Sequence, residues 1–136
     1  MRNVSRAVAV AAVALSVGIP SFGAAQASGN TWKTLATFNG GSIQACKVAT
    51  TKTGPWRVKL RVDARKATSK VNGSAYVTKG ATELDHWRSG WVAKGQLSAI
   101  GTVKLPRGSA YVLGAGIATA NAGNGGSFKA GQITGC

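Results

Sequence analysis

Residues 56–65 read WRVKLRVDAR, and apolar and charged side chains alternate along the whole run. The charged positions are Arg57, Lys59, Arg61, Asp63 and Arg65. Successive side chains of a β-strand point to opposite faces of a sheet, whereas a helix would spread both kinds around its circumference. The run therefore predicts a half-buried β-strand that carries four cations and one acid on its outer face.

Similar short runs, separated by Gly, Asn and Pro, make up the chain from residue 31 to its end. Residues 39–41 read NGG, which is typical of a hairpin turn because Asn and Gly tolerate positive φ. Residues 109–119 are small and apolar on both faces, which predicts a central, buried strand. The pattern as a whole predicts an all-β fold, a small antiparallel β-sandwich of about seven to eight strands.

Three segments interrupt the alternation. Residues 68–73 are polar and rich in turn formers, and residues 121–126 read NAGNGG, which predicts a flexible tip. Residues 79–95 predict a long connection with one short strand at residues 91–93, and they contain the only histidine of the chain. Long ordered connections are often functional, which makes this last segment a candidate site.

The N-terminus has the pattern of a secretory signal peptide. Arg2 and Arg6 precede an apolar run at residues 7–19, and small residues follow as far as Ala27. The apolar run is short for a membrane span, although a retained N-terminal anchor is the alternative. We therefore expect residues 1–27 to be removed and residues 28–136 to form a single secreted, extracellular domain.

The chain has two cysteines, Cys46 and Cys136. In an exported protein they indicate one disulfide, which would tie the carboxyl end to an early strand. Closing so long a loop contributes about 4–5 kcal/mol in the chain-entropy model. Two free thiols are the alternative.

Basic residues dominate the charge of the chain. Lys and Arg number 17 against three Asp and Glu, which gives a formal net charge of +14. Such an excess favours polyanionic or acidic partners, and for an exported protein these include cell-wall polymers and acidic proteins. We find no motif for specific recognition of nucleic acid and, beyond the N-terminus, no stretch that could span a membrane.

The residue types that catalysis requires are scarce. A hydrolytic triad needs a nucleophile, a base and an orienting acid, and the single histidine, His86, directly follows Asp85. Neighbours on a strand point apart, and Glu83 and Asp85 are the only close carboxylates. No group of Cys, His, Asp and Glu has the spacing of metal ligands. The sequence predicts no catalytic residue, no metal and no cofactor, and therefore no enzyme.

Three groups of side chains are candidates for partner binding. The first is the basic row, in which cations follow one another about 7 Å apart along a strand: Arg57, Lys59, Arg61 and Arg65. The second combines residue types that are over-represented at interface hot spots: Trp87, Arg88 and Trp91. The third lies on an edge strand, where strand addition docks partner segments: Trp32 and Lys33. The alternatives are a solvated face for the row and core positions for the tryptophans Trp87 and Trp91.

Several of these features together resemble one known family. They are the paired cysteines, WRV at residues 56–58, HWRSGW at residues 86–91 and NAGNGG at residues 121–126. The chain resembles the small adaptor subunit of the umbrella toxin particles that filamentous soil actinobacteria secrete. In that family the adaptor joins a repeat ring on a large toxin polypeptide to a lectin subunit, and its N-terminal extension enters a cleft of the lectin. The lead before the first strand is short here, residues 28–32.

The resemblance implies a non-catalytic secreted binding module, an adaptor between a lectin subunit and a large toxin polypeptide in competition between bacteria. The residues by themselves leave two alternatives open. One is a free-standing binder of anionic cell-wall polymers that uses the basic row. The other is an inhibitor of secreted enzymes that presents residues 83–91 as a loop.

Overall fold

The computed structural model describes residues 31–136, and the predicted signal peptide at residues 1–27 lies outside them. Eight strands form two four-stranded antiparallel sheets, which confirms the predicted all-β sandwich. The strands are β1 (Lys33–Phe38), β2 (Gly41–Ala49), β3 (Trp56–Asp63), β4 (Val71–Lys79), β5 (Thr82–Val92), β6 (Gly101–Leu105), β7 (Tyr111–Ala118) and β8 (Gly123–Phe128). A short 3-10 helix, Ala130–Gln132, precedes the C-terminal segment.

The strand order places each segment in one of two layers. Sheet A has the order β1-β2-β3-β6, and sheet B has the order β5-β4-β7-β8. The chain therefore builds a three-stranded meander, forms the β4–β5 hairpin in the other sheet, and then adds β6 and β7 beside the strands already present. The small and apolar strand β7 is central in sheet B, as predicted.

The run at residues 56–65 forms the strand that was predicted. Val58, Leu60 and Val62 are fully buried, and the charged residues between them face outward. Their partners in the core come from both sheets, for example Ile43 on β2 and Val77 on β4. Burying each such side chain stabilises the fold by roughly 1.5–3 kcal/mol, so alternation on this one strand contributes strongly to the core.

The β1–β2 hairpin has the predicted turn and one unpredicted irregularity. Asn39 and Gly40 both have positive φ, 53° and 80°, and a Cβ on Gly40 would lie 2.1 Å from the carbonyl oxygen of Lys66. In β1, pairing skips a residue between Thr34 and Ala36. This bulge allows two consecutive residues, Leu35 and Ala36, both to be buried.

Residues 79–95 do not form the predicted long connection. They contain β5, which at 11 residues is longer than any other strand among residues 31–136, and β5 pairs with β4. The prediction failed because β5 is an edge strand with two bulges, and the half-buried positions between them hold polar residues, Asp85 and Ser89, as well as Trp87. Only Val92 in this strand is fully buried.

Two further predicted turns are also strands. Residues 121–126 contribute to β8, which pairs along its length with β7. Asn72 and Gly73 lie within β4, and a Cβ on Gly73 would lie 2.4 Å from a methyl group of Val62 in the opposite sheet. Here glycine permits close packing of the two sheets, a use that its turn propensity alone does not reveal.

On each side of the sandwich, a side-chain hydrogen bond links the edge strands of the two sheets. On one side, Asp85 of β5 accepts from the backbone amide of Lys104 on β6 at 2.8 Å. On the other, Asn124 of β8 donates to the carbonyl of Thr37 on β1 at 3.1 Å. Such caps use edge groups that would otherwise be free to pair with another chain.

The C-terminal segment is attached to β2 by backbone and covalent bonds. Lys47 donates its amide to Thr134 and accepts from the amide of Cys136, both at 2.9 Å. The predicted disulfide Cys46–Cys136 is present and joins positions 90 apart in the chain. Ile133, just before it, is buried in the core.

Candidate binding surfaces

The predicted binding residues fall into three places in the fold. Those on the outer face of sheet A, or at its edge, are Trp32, Lys33, Arg57, Lys59, Arg61 and Arg65. Arg88 and Trp91 lie on the outer face of sheet B. Trp87 faces between the sheets, where it packs against the core and covers Gly101. The two tryptophans of β5 therefore belong to different environments.

On sheet A, cations on two adjacent strands lie opposite each other. Arg57 of β3 lies directly opposite Lys104 of β6, and Lys59 follows on the same face. Directly opposed Cα atoms in antiparallel strands are about 4.5–5.5 Å apart, so like charges at such positions repel. Among residues 31–136, Asp63 forms an ion pair with Arg65 and Glu83 contacts His86, and neither contact reaches these cations. We call Arg57, Lys59 and Lys104 the basic surface.

Beside the basic surface, Arg61 is held by two neighbours. Its guanidinium carbon lies 4.3 Å from the ring centroid of Trp32, and its Nε donates to Oε1 of Gln44 at 2.8 Å. Partial burial lowers the pKa of Arg61, and nearby Asp63 acts in the opposite direction. Trp32 is therefore a cation–π partner of Arg61 at the edge of sheet A.

At the far end of the row, Arg65 turns back onto Asp63. Its Nη2 lies 2.6 Å from Oδ2 and its Nε donates to Oδ1 at 3.0 Å. These bonds lower the pKa of the Asp63 carboxyl below its usual value. The four predicted cations are thus not equivalent: Arg65 is neutralised, Arg61 is stacked, and Arg57 and Lys59 have no acidic partner among residues 31–136.

On sheet B, a bulge brings two predicted residues to the same face. Trp91 pairs with Asn72 and Arg88 pairs with Ser74, so one extra residue of β5 lies between the two pairs. Gly90 provides it with a positive φ of 68°. The amide of Gly73, opposite the bulge, donates to Ser89 Oγ at 2.8 Å. That bond satisfies a backbone group that the irregular ladder leaves unpaired.

The bulge creates a pocket of about 280 Å³ between Arg88 and Trp91. Trp91 is 51% exposed, and the ammonium group of Lys70 lies 5.0 Å from its ring centroid. Nη2 of Arg88 donates to the hydroxyl of Tyr76 at 3.2 Å. We call Tyr76, Arg88 and Trp91, with Lys70, the aromatic pocket.

Sequence reasoning missed Lys104, Lys70 and Tyr76 as members of these surfaces. Tyr76 had a readable signal, because Asn72, Ser74 and Tyr76 alternate with buried residues along β4. Lys104 had none, since its position opposite Arg57 follows from the long-range pairing of β3 with β6.

The acidic residues and the histidine are spread over different contacts. Glu83 Oε1 lies 3.0 Å from His86 Nδ1 at an exposed position, whereas Asp85 binds the backbone of β6. Within residues 31–136, no three side chains of His, Cys, Asp or Glu lie close enough together to hold a metal ion. Over the same residues, no helix has the length and apolar character of a membrane span.

The chain forms an all-β, disulfide-linked domain, and comparison with known proteins identified no relative of it. No protein-family model matches the chain. Neither the curated proteins nor the solved structures contain a significant match.

Proposed function

We propose that the protein is a secreted, non-catalytic adaptor that binds two partners on opposite faces of its β-sandwich. The observation that carries the proposal is the separation of two cationic and aromatic clusters onto the outer faces of different sheets. Packed sheets are about 10 Å apart, so occupants of opposite faces do not exclude one another. A molecule that joins two others requires two such surfaces.

The basic surface suits an acidic protein partner. Repulsion between Arg57 and Lys104 is not relieved by an ion pair within residues 31–136, so an anionic group placed between them would be attracted by both. Trp32, stacked on Arg61 nearby, adds a rigid aromatic contact area. Charge complementarity of this kind favours fast and selective association.

The same proposal includes the assembly that the sequence resemblance implies. In it, one partner is a lectin subunit and the other a large toxin polypeptide, within an antibacterial complex. Two features support the extracellular setting: the predicted signal peptide at residues 1–27 and the disulfide Cys46–Cys136. Two separate faces support the role of a joining subunit.

A pull-down from the producing culture at native salt tests the proposal. We expect the tagged protein to recover two different secreted proteins. Neutralising the basic surface with Arg57→Gln, Lys59→Gln and Lys104→Gln should release one partner and retain the other. Trp91→Ala, on sheet B, should have the reverse effect.

The matched control neutralises three exposed lysines elsewhere, Lys52→Gln, Lys79→Gln and Lys94→Gln. It makes the same change in net charge and should retain both partners. Recovery of the protein alone would contradict an adaptor role. Loss of both partners from either surface variant would contradict the assignment of one partner to each face.

A second candidate function, binding of an anionic cell-wall polymer, is favoured by the uncompensated charge of the basic surface. Salt distinguishes the two candidates, because polymer binding through several cations weakens steeply as ionic strength rises. If this candidate holds, we expect retention on isolated cell walls to weaken roughly 20- to 40-fold between 50 and 200 mM salt, the change that three such contacts give. Retention of protein partners over the same range favours the adaptor.

The inhibitor alternative depended on a protruding loop at residues 83–91. Those residues belong to the paired strand β5, which leaves that alternative without its loop.

A further inference from the structure

The aromatic pocket on sheet B has the chemistry of a sugar site. An exposed tryptophan provides an apolar plate against which the C–H face of a pyranose ring packs, and Trp91 is 51% exposed at the pocket wall. Asn72 and Ser74 lie on the same lining and supply amide and hydroxyl groups for sugar hydroxyls. Apolar walls with a few placed polar groups are the usual composition of small-molecule sites.

The size of the pocket limits the occupant. Ligand pockets usually have volumes of about 300–1,000 Å³. At about 280 Å³, this one lies just below that range and suits a single ring. It is open at one side, where the neighbouring strand β7 presents Gly114 and Gly116 opposite Tyr76 and Ser74. Without large side chains there, a saccharide chain can continue across the sheet.

The charges select among sugars. Arg88 lines the pocket, Lys70 lies over Trp91, and no carboxylate is among the lining residues. Arg88 is oriented by its bond to the Tyr76 hydroxyl, so its planar guanidinium is preorganised for a carboxylate. We propose that the aromatic pocket binds a sugar that carries a carboxylate, a hexuronic acid unit of an acidic polysaccharide.

This inference deepens the proposed function: it rests on the sheet B face being a binding surface and names the group recognised there, an acidic saccharide carried by the partner that occupies this face. It concerns a ligand that the isolated protein binds directly. The pull-down can therefore fail while saccharide binding succeeds, and the reverse outcome is equally distinguishable.

Titration of the disulfide-linked secreted protein with two tetrasaccharides tests the inference. One is a tetramer of galacturonic acid and the other a neutral tetramer of glucose, each followed by NMR and calorimetry. We expect the acidic tetramer to shift the indole signal of Trp91 and the amides of Ser74 and Arg88. Trp91→Ala should weaken its binding by at least about tenfold, which corresponds to about 1.4 kcal/mol.

Further variants separate stacking from charge. Arg88→Gln should lower the affinity for the acidic tetramer severalfold, whereas Lys94→Gln, an equal change in charge outside the pocket, should not. Trp91→Phe keeps an aromatic plate and should retain part of the affinity, which guards against loss of binding through misfolding. No response to the acidic tetramer would overturn the inference. So would equal binding of both tetramers, or shifts confined to the basic surface on sheet A.

Discussion

Arg57 and Lys104 lie directly opposite each other on adjacent strands, an arrangement that is unfavourable for the isolated protein. Like charges in such cross-strand pairs destabilise by roughly 0.2–1 kcal/mol. Lys104→Gln should therefore raise the free energy of unfolding by a few tenths of a kcal/mol at low salt while weakening association with an acidic partner. Urea unfolding at low and high salt measures the first effect, which screening should remove.

Lys94→Gln is the matched control for this pair. Lys94 is also an exposed lysine, but it lies in the turn that follows β5 and has no cross-strand register partner. Equal stability changes for Lys94→Gln and Lys104→Gln would show that repulsion between Arg57 and Lys104 is unimportant. A gain for Lys104→Gln alone would show that this surface trades stability for attraction to anions.

The ion pair Asp63–Arg65 predicts a pH effect on stability. Hydrogen bonds from Arg65 lower the pKa of Asp63 in the folded protein below the usual value of 3.8. Its stabilising contribution is therefore complete above the unfolded pKa and is lost as the pH falls through the folded pKa. The effect should be small because Arg65 is exposed. Asp63→Asn should make the stability profile flatter below about pH 4 than in the unsubstituted protein.

Thermal unfolding from pH 6 to pH 2.5 in both proteins checks this expectation. The difference in stability between them should shrink toward acid pH. A difference that stays constant over this range would mean that Asp63 contributes through packing and not through its charge.

At the scale of the strands, the sequence predicted best those that have one fully buried face. β3 was predicted from its sequence because one face is fully buried and the other is solvated, so apolar and charged residues alternate along the strand. β5 was missed because it is an edge strand whose inward positions are not uniformly apolar: exposure alternates over residues 84–90, but the half-buried side chains are those of Asp85, Trp87 and Ser89. β8 was missed because its Asn and Gly residues favour turns, whereas pairing with β7 determines its conformation.

The same contrast applies to the two surfaces. The outward cations of β3 could be predicted, since strand alternation alone places them on one face. The aromatic pocket could not, because it depends on the bulge at Gly90 that turns Trp91 to the side of Arg88. This bulge is set by the register in which β5 pairs with β4, and it leaves only a weak local signal in the sequence.

The contact between Trp87 of β5 and Gly101 of β6 predicts a specific packing defect. A Cβ at position 101 would lie 1.8 Å from Nε1 of Trp87, so Gly101→Ala must displace an indole that packs on the core. Overpacking of this kind lowers the free energy of unfolding by about 1–3 kcal/mol. Denaturant unfolding followed by tryptophan fluorescence measures both the loss and the altered indole environment. Gly131→Ala, where a Cβ meets no atom within 4 Å, is the control. Similar losses in both variants would contradict the packing argument.

At the scale of the whole molecule, one covalent bond secures the C-terminal segment. The disulfide joins positions 90 apart, and the segment also pairs with β2 through Lys47. Replacing both cysteines, Cys46→Ser with Cys136→Ser, should lower the free energy of unfolding by about 2–5 kcal/mol. Chemical unfolding of the oxidised protein and the double variant gives the comparison. A loss below about 1 kcal/mol would indicate that the loop is already restricted in the unfolded chain.

The central claim is that the two faces of the sandwich are occupied independently. Surfaces well separated in a rigid fold should bind additively, as distant substitutions do. Native mass spectrometry of the protein with both recovered partners tests this most directly. The account predicts one complex that contains all three components, with the affinity for each partner unchanged by the other. Mutually exclusive binary complexes would contradict it.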